Sequence, residues 1–210
     1  MNLWVFDNDG TLYDDTFSAK EFTRISSGYY SKVLGISLDK ITDEIDKLKD
    51  KWGTEFSIVA VAKEHGIDFA AAVENTYLAL DLTQCGIKAP DQERMRILNS
   101  LPGRKIVFTN NPSVWARKVL SYTGLADCFS DFIGMEEITR PKPASEAYQA
   151  VEERHEGFDR IILCDDSLKN LEAARLRGWT TVWHRAGSSQ AEKAEGHITI
   201  SSFDELDQFL

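Results

Sequence analysis

Polar side chains capable of chemistry follow a short apolar run near the start of the chain, in the segment VFDNDGTLYD. Asp7 and Asp9 lie on either side of one asparagine, and Gly10 and Thr11 come directly after them. Three more polar clusters stand at the end of an apolar run or the start of a helix pattern: Thr109-Asn110-Asn111, Lys142 in RPKP, and Asp165-Asp166-Ser167. Each cluster alone is typical of a turn or helix cap, so a functional site is indicated only if all of them meet.

If these clusters meet, they bring together several carboxylates, a lysine ammonium and a threonine hydroxyl. Carboxylates packed this closely in a poorly solvated cleft repel each other strongly unless a cation lies among them. Oxygen ligands without nearby His or Cys favour Mg²⁺ over Zn²⁺, and Mg²⁺ typically binds substrate phosphate oxygens as well. The sequence therefore predicts a Mg²⁺-dependent phosphoryl-transfer site, in which one aspartate attacks phosphorus to form an aspartyl-phosphate and a neighbouring acid first protonates the leaving oxygen and then activates water.

Short apolar runs rich in β-branched or aromatic residues predict the strands that would position these clusters. Helical patterns lie between the runs, such as the one that begins near Pro112 and stops at Gly124. This alternation predicts an α/β fold with a Rossmann-like parallel sheet between helices, in which ligands bind beyond the carboxyl ends of the strands. The predicted strands are residues 3–6, 105–109, 131–134, 161–164, 180–183 and 197–200.

Residues 15–85 interrupt the alternation and follow the pattern of about four amphipathic helices in succession. Apolar residues there recur at alternating spacings of three and four, as in the stretch from Leu38 to Trp52. We therefore predict a helical domain over 15–85, inserted after the first strand of an α/β core domain that comprises residues 1–14 and 86–210.

Charge and cysteine usage restrict the partners and the compartment. The formal net charge of −10 repels nucleic-acid phosphates and anionic membranes, and the sequence has no basic patch to offset it. Three widely spaced cysteines without a CxxC pair indicate buried, reduced thiols. The first apolar run is too short for a signal peptide or a membrane span. We expect a cytoplasmic protein that binds a small phosphorylated metabolite, without nucleic acid or membrane as partner; the oligomeric state is not indicated.

The four motifs, in this order, resemble those of the haloacid dehalogenase-like (HAD) phosphatase superfamily: Asp-x-Asp-Gly-Thr-Leu, then Thr, then Lys-Pro, then Asp-Asp-Ser. The resemblance spans nearly the whole chain, because residues 15–85 are similar to the inserted helical cap of that superfamily. It implies that Asp7 is the nucleophile and a Mg²⁺ ligand. It also implies that Asp9 is the general acid/base and offers its backbone carbonyl to the metal.

The resemblance extends to the later motifs. It implies that Thr109 and Lys142 act in catalysis by holding the phosphate, and that Asp166 is a metal ligand with Asp165 beside it, bound directly or through water. Asn170 stands where a second distal acid would be expected. Two further residues are expected near the substrate, Asn110 through its backbone N–H on the phosphate and Tyr13 beside the catalytic loop.

The presence of Asp9 favours a phosphatase over a dehalogenase, since the dehalogenases of the superfamily lack an acid at this place and need no metal. The segments VFDNDGTLYD, LPGRKIVFTNNP and RPKPASEAY look closest to the pyrimidine 5′-nucleotidase-like group, which implies a nucleoside monophosphate as substrate. A phosphosugar mutase-like enzyme, another small-metabolite phosphatase and a non-catalytic phospho-acceptor module similar to response-regulator receivers stay open as alternatives.

Overall fold

Strands and helices alternate along most of the chain in the computed structural model, which describes residues 1–185 and 194–209. The strands are β1 (Asn2–Phe6), β2 (Arg104–Phe108), β3 (Asp131–Ile133), β4 (Arg160–Asp165), β5 (Thr180–His184) and β6 (Ile198–Ile200). The helices are α1 (Thr16–Leu34), α2 (Ile41–Trp52), α3 (Ser57–His65), α4 (Phe69–Asn75), α5 (Gln92–Ser100), α6 (Ser113–Thr123), α7 (Ser145–Arg154) and α8 (Leu168–Leu176). Short 3-10 helices cover Leu38–Lys40, Ala126–Cys128 and Phe203–Phe209.

The strands form one sheet in the order β3-β2-β1-β4-β5-β6, and every neighbouring pair is parallel. This confirms the predicted α/β fold with a Rossmann-like parallel sheet. The first strand is central: Val5 lies opposite Ile106 of β2 on one side and Leu163 of β4 on the other. The residues that follow β1, β2 and β4 therefore leave the sheet at the same edge.

The core of the sheet forms around β1. Its residues from Leu3 to Phe6 are fully buried, and their burial contributes on the order of 1.5–3 kcal/mol per large side chain. Trp4 stacks on Phe6 with ring centroids 5.9 Å apart, and Phe6 stacks on Phe203 at 6.1 Å. A strand packed on both faces fixes where the chain emerges at residue 7.

The chain divides into two compact units, one formed by Met1–Asp14 with Ile87–Leu210 and the other by Asp15–Gly86. The first contains the sheet, and the second contains α1 to α4. The helical unit has its own apolar cluster, which includes Tyr30, Ile41, Leu48, Ala60 and Val61.

Helix ends, cysteine burial and helix hydrophobicity were also predicted from the sequence. Helices α1, α2 and α3 each end at a glycine in the left-handed conformation: Gly35, Gly53 and Gly66. The three cysteines are buried free thiols, as predicted. Among the described residues, none of the helices combines the length and apolar character that crossing a bilayer requires.

His184 at the end of β5 makes stability depend on pH. The side chain is buried, and burial lowers its pKa to about 4, with the positive charge of Arg94 acting in the same direction. The unfolded chain takes up a proton at this imidazole below about pH 6.5, whereas the folded protein does so only near pH 4. We expect this residue to lower the free energy of unfolding by on the order of 3 kcal/mol as the pH falls through that window.

Urea denaturation across this pH range tests the expectation. His184→Gln should show a smaller loss of stability on acidification than the wild-type protein, because glutamine cannot be protonated. His65→Gln, which removes an exposed imidazole from α3, is the matched control and should keep the wild-type slope. An equal slope in His184→Gln and wild type would contradict the prediction.

Candidate active site

The first motif begins where β1 ends, and backbone hydrogen bonds hold it in place. The Asp7 N–H donates to the Cys164 carbonyl at 2.9 Å, which extends the pairing with β4 by one residue. The chain then turns, and the Leu12 N–H donates to the Asn8 carbonyl at 2.9 Å. The turn thus directs Asp7 and Asp9 into the region beyond the sheet edge.

Gly10 allows this turn to approach the loop after β4. Its φ is 77°, a left-handed conformation that favours glycine. A Cβ added at this position would lie 2.7 Å from the Asp166 Oδ2 atom, closer than atoms can pack. Glycine at residue 10 therefore leaves room for the Asp166 carboxylate in its present position.

The Lys142 side chain connects three segments of the site by hydrogen bonds. Its Nζ atom donates to Asp7 Oδ1 at 2.8 Å, to Asp165 Oδ2 at 2.9 Å and to the Phe108 carbonyl at 2.8 Å. A lysine ammonium has three hydrogens, so these contacts use all of them. Since the side chain is only 1% exposed, Lys142 acts on the site as a buried counter-ion to two aspartates. A direct bond from Lys142 to a phosphate would require it to give up one of these partners.

The Asn110 side chain fixes the backbone of the lysine. Its Oδ1 accepts a hydrogen bond from the Lys142 N–H at 2.8 Å, and its Nδ2 donates to the Lys142 carbonyl at 3.0 Å. The amide thereby ties the loop after β2 to the RPKP segment. The side chain is thus used to hold Lys142. The prediction for the phosphate concerned the backbone N–H of Asn110, which is a separate group.

Burial and charge act together on the carboxylates. Burial raises the pKa of Asp7 well above its usual value; Lys142 opposes the rise, and the charges of Asp165 and Asp9 add to it. Burial alone would lower the pKa of Lys142, but Asp165 and Asp7 together raise it above its usual value. The lysine is therefore charged, and it cannot neutralise both buried aspartates.

Asp7, Asp165 and Asp166 each offer a carboxylate oxygen within 4.8 Å of the others. Three carboxylates against one ammonium leave excess negative charge in a largely buried place. This oxygen-only set with uncompensated charge fits a hard divalent cation such as Mg²⁺. The fit is best at Asp7 and Asp166, because both oxygens of Asp165 already accept hydrogen bonds from Lys142, the Ser167 N–H and Asn170.

Asn170 lies at the position where a second distal acid was expected. Its Nδ2 atom is 3.1 Å from each oxygen of Asp165. Tyr148 in turn donates from its hydroxyl to the Asn170 carbonyl at 2.8 Å. The residue therefore orients Asp165 through hydrogen bonds, which an acid at this position could not donate when ionised.

Asp9 lies on the other side of the turn, half-buried, and both of its carboxylate oxygens accept hydrogen bonds. Thr109 Oγ1 and Asn8 Nδ2 donate to Oδ2 at 3.1 and 3.2 Å. Trp115 Nε1 donates to Oδ1 at 3.1 Å, and the Tyr13 hydroxyl also donates to that oxygen. The hydroxyl of Thr109, which was predicted to hold phosphate, therefore binds Asp9 in this structure.

The structure brings all the predicted site residues of the α/β unit to one edge of the sheet, and it adds Trp115. Trp115 lies in the helical pattern between Pro112 and Gly124, where its four-residue spacing from Val119 is typical of an apolar helix face. The indole is 2% exposed and packs as predicted, yet its N–H points at Asp9. The available signal was a polar N–H on an otherwise apolar face, close to the start of a helix that follows the second motif.

Comparisons with known proteins agree with this arrangement. The sequence model of the haloacid dehalogenase-like hydrolases matches residues 1–178. A HAD phosphatase from Thermococcus onnurineus has a similar structure, with a TM-score of 0.63, 20% identity and coverage of 99% of this chain and 97% of the other. A 2-haloacid dehalogenase from Pseudomonas syringae pv. Tomato DC3000 matches with a TM-score of 0.69 and 16% identity over 100% and 97% of the two chains.

A third similar structure is that of the HAD-hydrolase YfnB from Bacillus subtilis bound to magnesium. It has a TM-score of 0.56 and 18% identity, and the match covers 99% of this chain and 97% of the other. At these identities the likeness demonstrates a shared fold. It does not distinguish between the phosphatase and dehalogenase chemistries that these relatives are named for.

Proposed function

The chain belongs to the haloacid dehalogenase-like hydrolases, and from this membership we propose that it is a Mg²⁺-dependent phosphomonoester hydrolase that acts through an aspartyl-phosphate. The observation that carries the proposal is the buried Lys142, which binds Asp7 and Asp165 while Asp166 lies within reach of both. A dehalogenase would need a nucleophilic aspartate but no acid to protonate a phosphate ester's leaving oxygen. The presence of Asp9 beside Asp7 therefore favours phosphate ester hydrolysis.

In the proposed reaction, a carboxylate oxygen of Asp7 attacks phosphorus, and the bond from phosphorus to the ester oxygen breaks. Asp9 gives its proton to the departing alcohol. Asp9, now ionised, takes a proton from water as that water attacks the phosphorus of the aspartyl-phosphate, and free phosphate leaves with Asp7 regenerated. Lys142 favours the ionised Asp7 that the first step requires and fixes its orientation.

The proposed phosphate-binding groups are Thr109, the backbone N–H of Asn110 and, after partner exchange, Lys142. The proposed metal ligands are Asp7, Asp166 and the backbone carbonyl of Asp9, with Asp165 beside them. Bound Mg²⁺ would supply positive charge that offsets the charge of the carboxylates and of the transferring phosphoryl group. Asp165 orients Lys142, and Asn170 in turn orients Asp165.

We propose further that the substrate is a small phosphorylated metabolite, in particular a pyrimidine nucleoside monophosphate, and that the helical unit Asp15–Gly86 is the cap domain that selects it. The support for this narrower assignment is the resemblance of the motif segments to the pyrimidine 5′-nucleotidase-like group.

Phosphate release from p-nitrophenyl phosphate tests the chemical class. We expect multiple turnover with Mg²⁺ and loss of turnover in a chelator, with recovery when Mg²⁺ is restored. A long-lived phosphoprotein without turnover would instead support a phospho-acceptor module, and accumulation of a new sugar phosphate from a sugar phosphate substrate would support a mutase. Preferred hydrolysis of UMP and CMP over AMP and GMP would support the nucleotidase assignment, and indifference to the base would contradict it.

A further inference from the structure

We propose that Tyr13 and Trp115 are positioning residues that anchor one oxygen of Asp9, so that the other oxygen carries the proton in catalysis. The inference rests on the proposed function, because it assigns Asp9 the general acid/base role. It adds Tyr13 and Trp115 to the residues that act on Asp9, and Trp115 belongs to the apolar face of α6. It also assigns different roles to the two carboxylate oxygens of Asp9.

The two carboxylate oxygens of Asp9 accept hydrogen bonds from different residues. Oδ1 accepts from the Trp115 indole N–H at 3.1 Å and from the Tyr13 hydroxyl, whereas Oδ2 accepts from Thr109 and Asn8. All four donors are buried, with exposed fractions of 2% and 6% for Trp115 and Tyr13 and of 0% and 1% for Asn8 and Thr109, so burial does not distinguish the two oxygens. The donor groups differ instead, because the indole N–H of Trp115 is fixed to its ring whereas the hydroxyl hydrogen of Thr109 can rotate.

The direction of the hydrogen bonds follows from the chemistry of the donors. The indole N–H can only donate, and Trp115 Nε1 also lies 3.2 Å from the Tyr13 hydroxyl oxygen. That oxygen accepts from the indole, which commits its single hydrogen to Asp9 Oδ1. The short chain from Trp115 through Tyr13 to Asp9 thus runs one way, and Oδ1 serves as an acceptor throughout.

One of the two donors to Oδ2, the hydroxyl of Thr109, can exchange its hydrogen-bond partner. The Thr109 hydroxyl can rotate, and it is also the group proposed to bind the substrate phosphate. A phosphate that engages Thr109 competes with Oδ2 for the hydroxyl and leaves that oxygen available to the ester oxygen. We assign proton transfer to Oδ2 and orientation to the Oδ1 anchor.

Substrates with different leaving groups test this assignment. Glycerol 2-phosphate releases a poor leaving group that needs a proton from Asp9, whereas p-nitrophenolate leaves without one. The parameter kcat/KM reports the steps up to release of the alcohol. We expect Tyr13→Phe and Trp115→Phe to lower kcat/KM for glycerol 2-phosphate by about tenfold or more, with a change of less than about threefold for p-nitrophenyl phosphate.

Trp4→Phe is the matched control, because Trp4 is fully buried and donates from Nε1 to the Pro102 carbonyl at 3.0 Å, away from Asp9. Trp4→Phe should change kcat/KM by the same factor for glycerol 2-phosphate and for p-nitrophenyl phosphate. The double variant Tyr13→Phe with Trp115→Phe should lose little more than the worse single variant, since the two residues share one anchor. Equal losses on both substrates in Tyr13→Phe would overturn the inference.

A second readout does not depend on activity. The indole ¹H–¹⁵N resonance of Trp115, identified by its disappearance in Trp115→Phe, should shift in Tyr13→Phe and in Asp9→Ala, while that of Trp4 stays in place. An unmoved Trp115 resonance would overturn the inference even in an active enzyme. A wild-type protein without phosphatase activity would refute the proposed function instead, while the resonances would still report whether the anchor exists.

Discussion

Asp7→Asn is expected to abolish phosphate release, with a loss of at least about four orders of magnitude in kcat, because an amide cannot form the aspartyl-phosphate. The same change should leave the fold intact or make it more stable in the absence of Mg²⁺. Burial raises the pKa of Asp7, which means that the ionised carboxylate costs folding free energy at neutral pH, and asparagine removes that charge. Initial rates and urea denaturation in chelator measure the two effects separately.

Loss of kcat without loss of stability would show that Asp7→Asn affects the reaction and not the fold, because misfolding would lower the free energy of unfolding as well. Asp127→Asn removes an exposed carboxylate from the same unit and serves as the control; it should change neither quantity. Turnover retained by Asp7→Asn at more than about one hundredth of the wild-type rate would refute the nucleophile assignment.

Lys142→Met is expected to have the second large effect, on stability as well as on rate. Methionine replaces most of the apolar stem but leaves Asp7 and Asp165 buried without their ammonium and the Phe108 carbonyl without its donor. Removing one partner of a buried ion pair typically costs about 3–5 kcal/mol. We expect a loss of that size in the free energy of unfolding in chelator, and a fall in kcat of about a hundredfold or more because the nucleophile loses its counter-ion.

Mg²⁺ should restore part of the lost stability, since it can offset the same carboxylates. Denaturation with and without the ion would show this as a larger Mg²⁺-dependent shift in Lys142→Met than in wild type. Lys105→Met is the matched control, because that ammonium donates to the carbonyls of Leu101 and Gly103 and, within residues 1–185 and 194–209, forms no ion pair. Wild-type stability of Lys142→Met in chelator would contradict the role of this lysine as the buried counter-ion.

The fold could be predicted from the sequence wherever burial is continuous. The run Leu3 to Phe6 is buried on both faces and can hardly be anything but a central strand. Helix α5 was not predicted, because QERMRILNS is largely polar and buries only Ile97 and Leu98, too few residues to display a helical period. The C-terminal 3-10 helix was also not predicted, since its short period gives no amphipathic pattern.

The position of the candidate site at one edge of the sheet could be predicted from the sequence, but its hydrogen bonds could not. Parallel strands deliver their following residues to one edge, which brings Asp7, Thr109 and Asp166 together from distant parts of the chain. Which hydrogen bonds form there depends on side-chain directions that no spacing encodes. Lys142 was expected to hold the phosphate, and its hydrogen bonds to Asp7 and Asp165 could not be predicted, because its position in the sequence does not specify where its Nζ atom points.

The close approach at Gly10 has a consequence for how this sequence can diverge. A Cβ at residue 10 would lie 2.7 Å from the Asp166 Oδ2 atom, so the exposed carboxylate would have to turn away from it. A substitution at residue 10 would thus displace the proposed metal ligand from its present position and would also strain the backbone, because the φ of 77° favours glycine. A single methyl group at residue 10 would therefore act on the loop after β4, more than 150 residues away in the sequence.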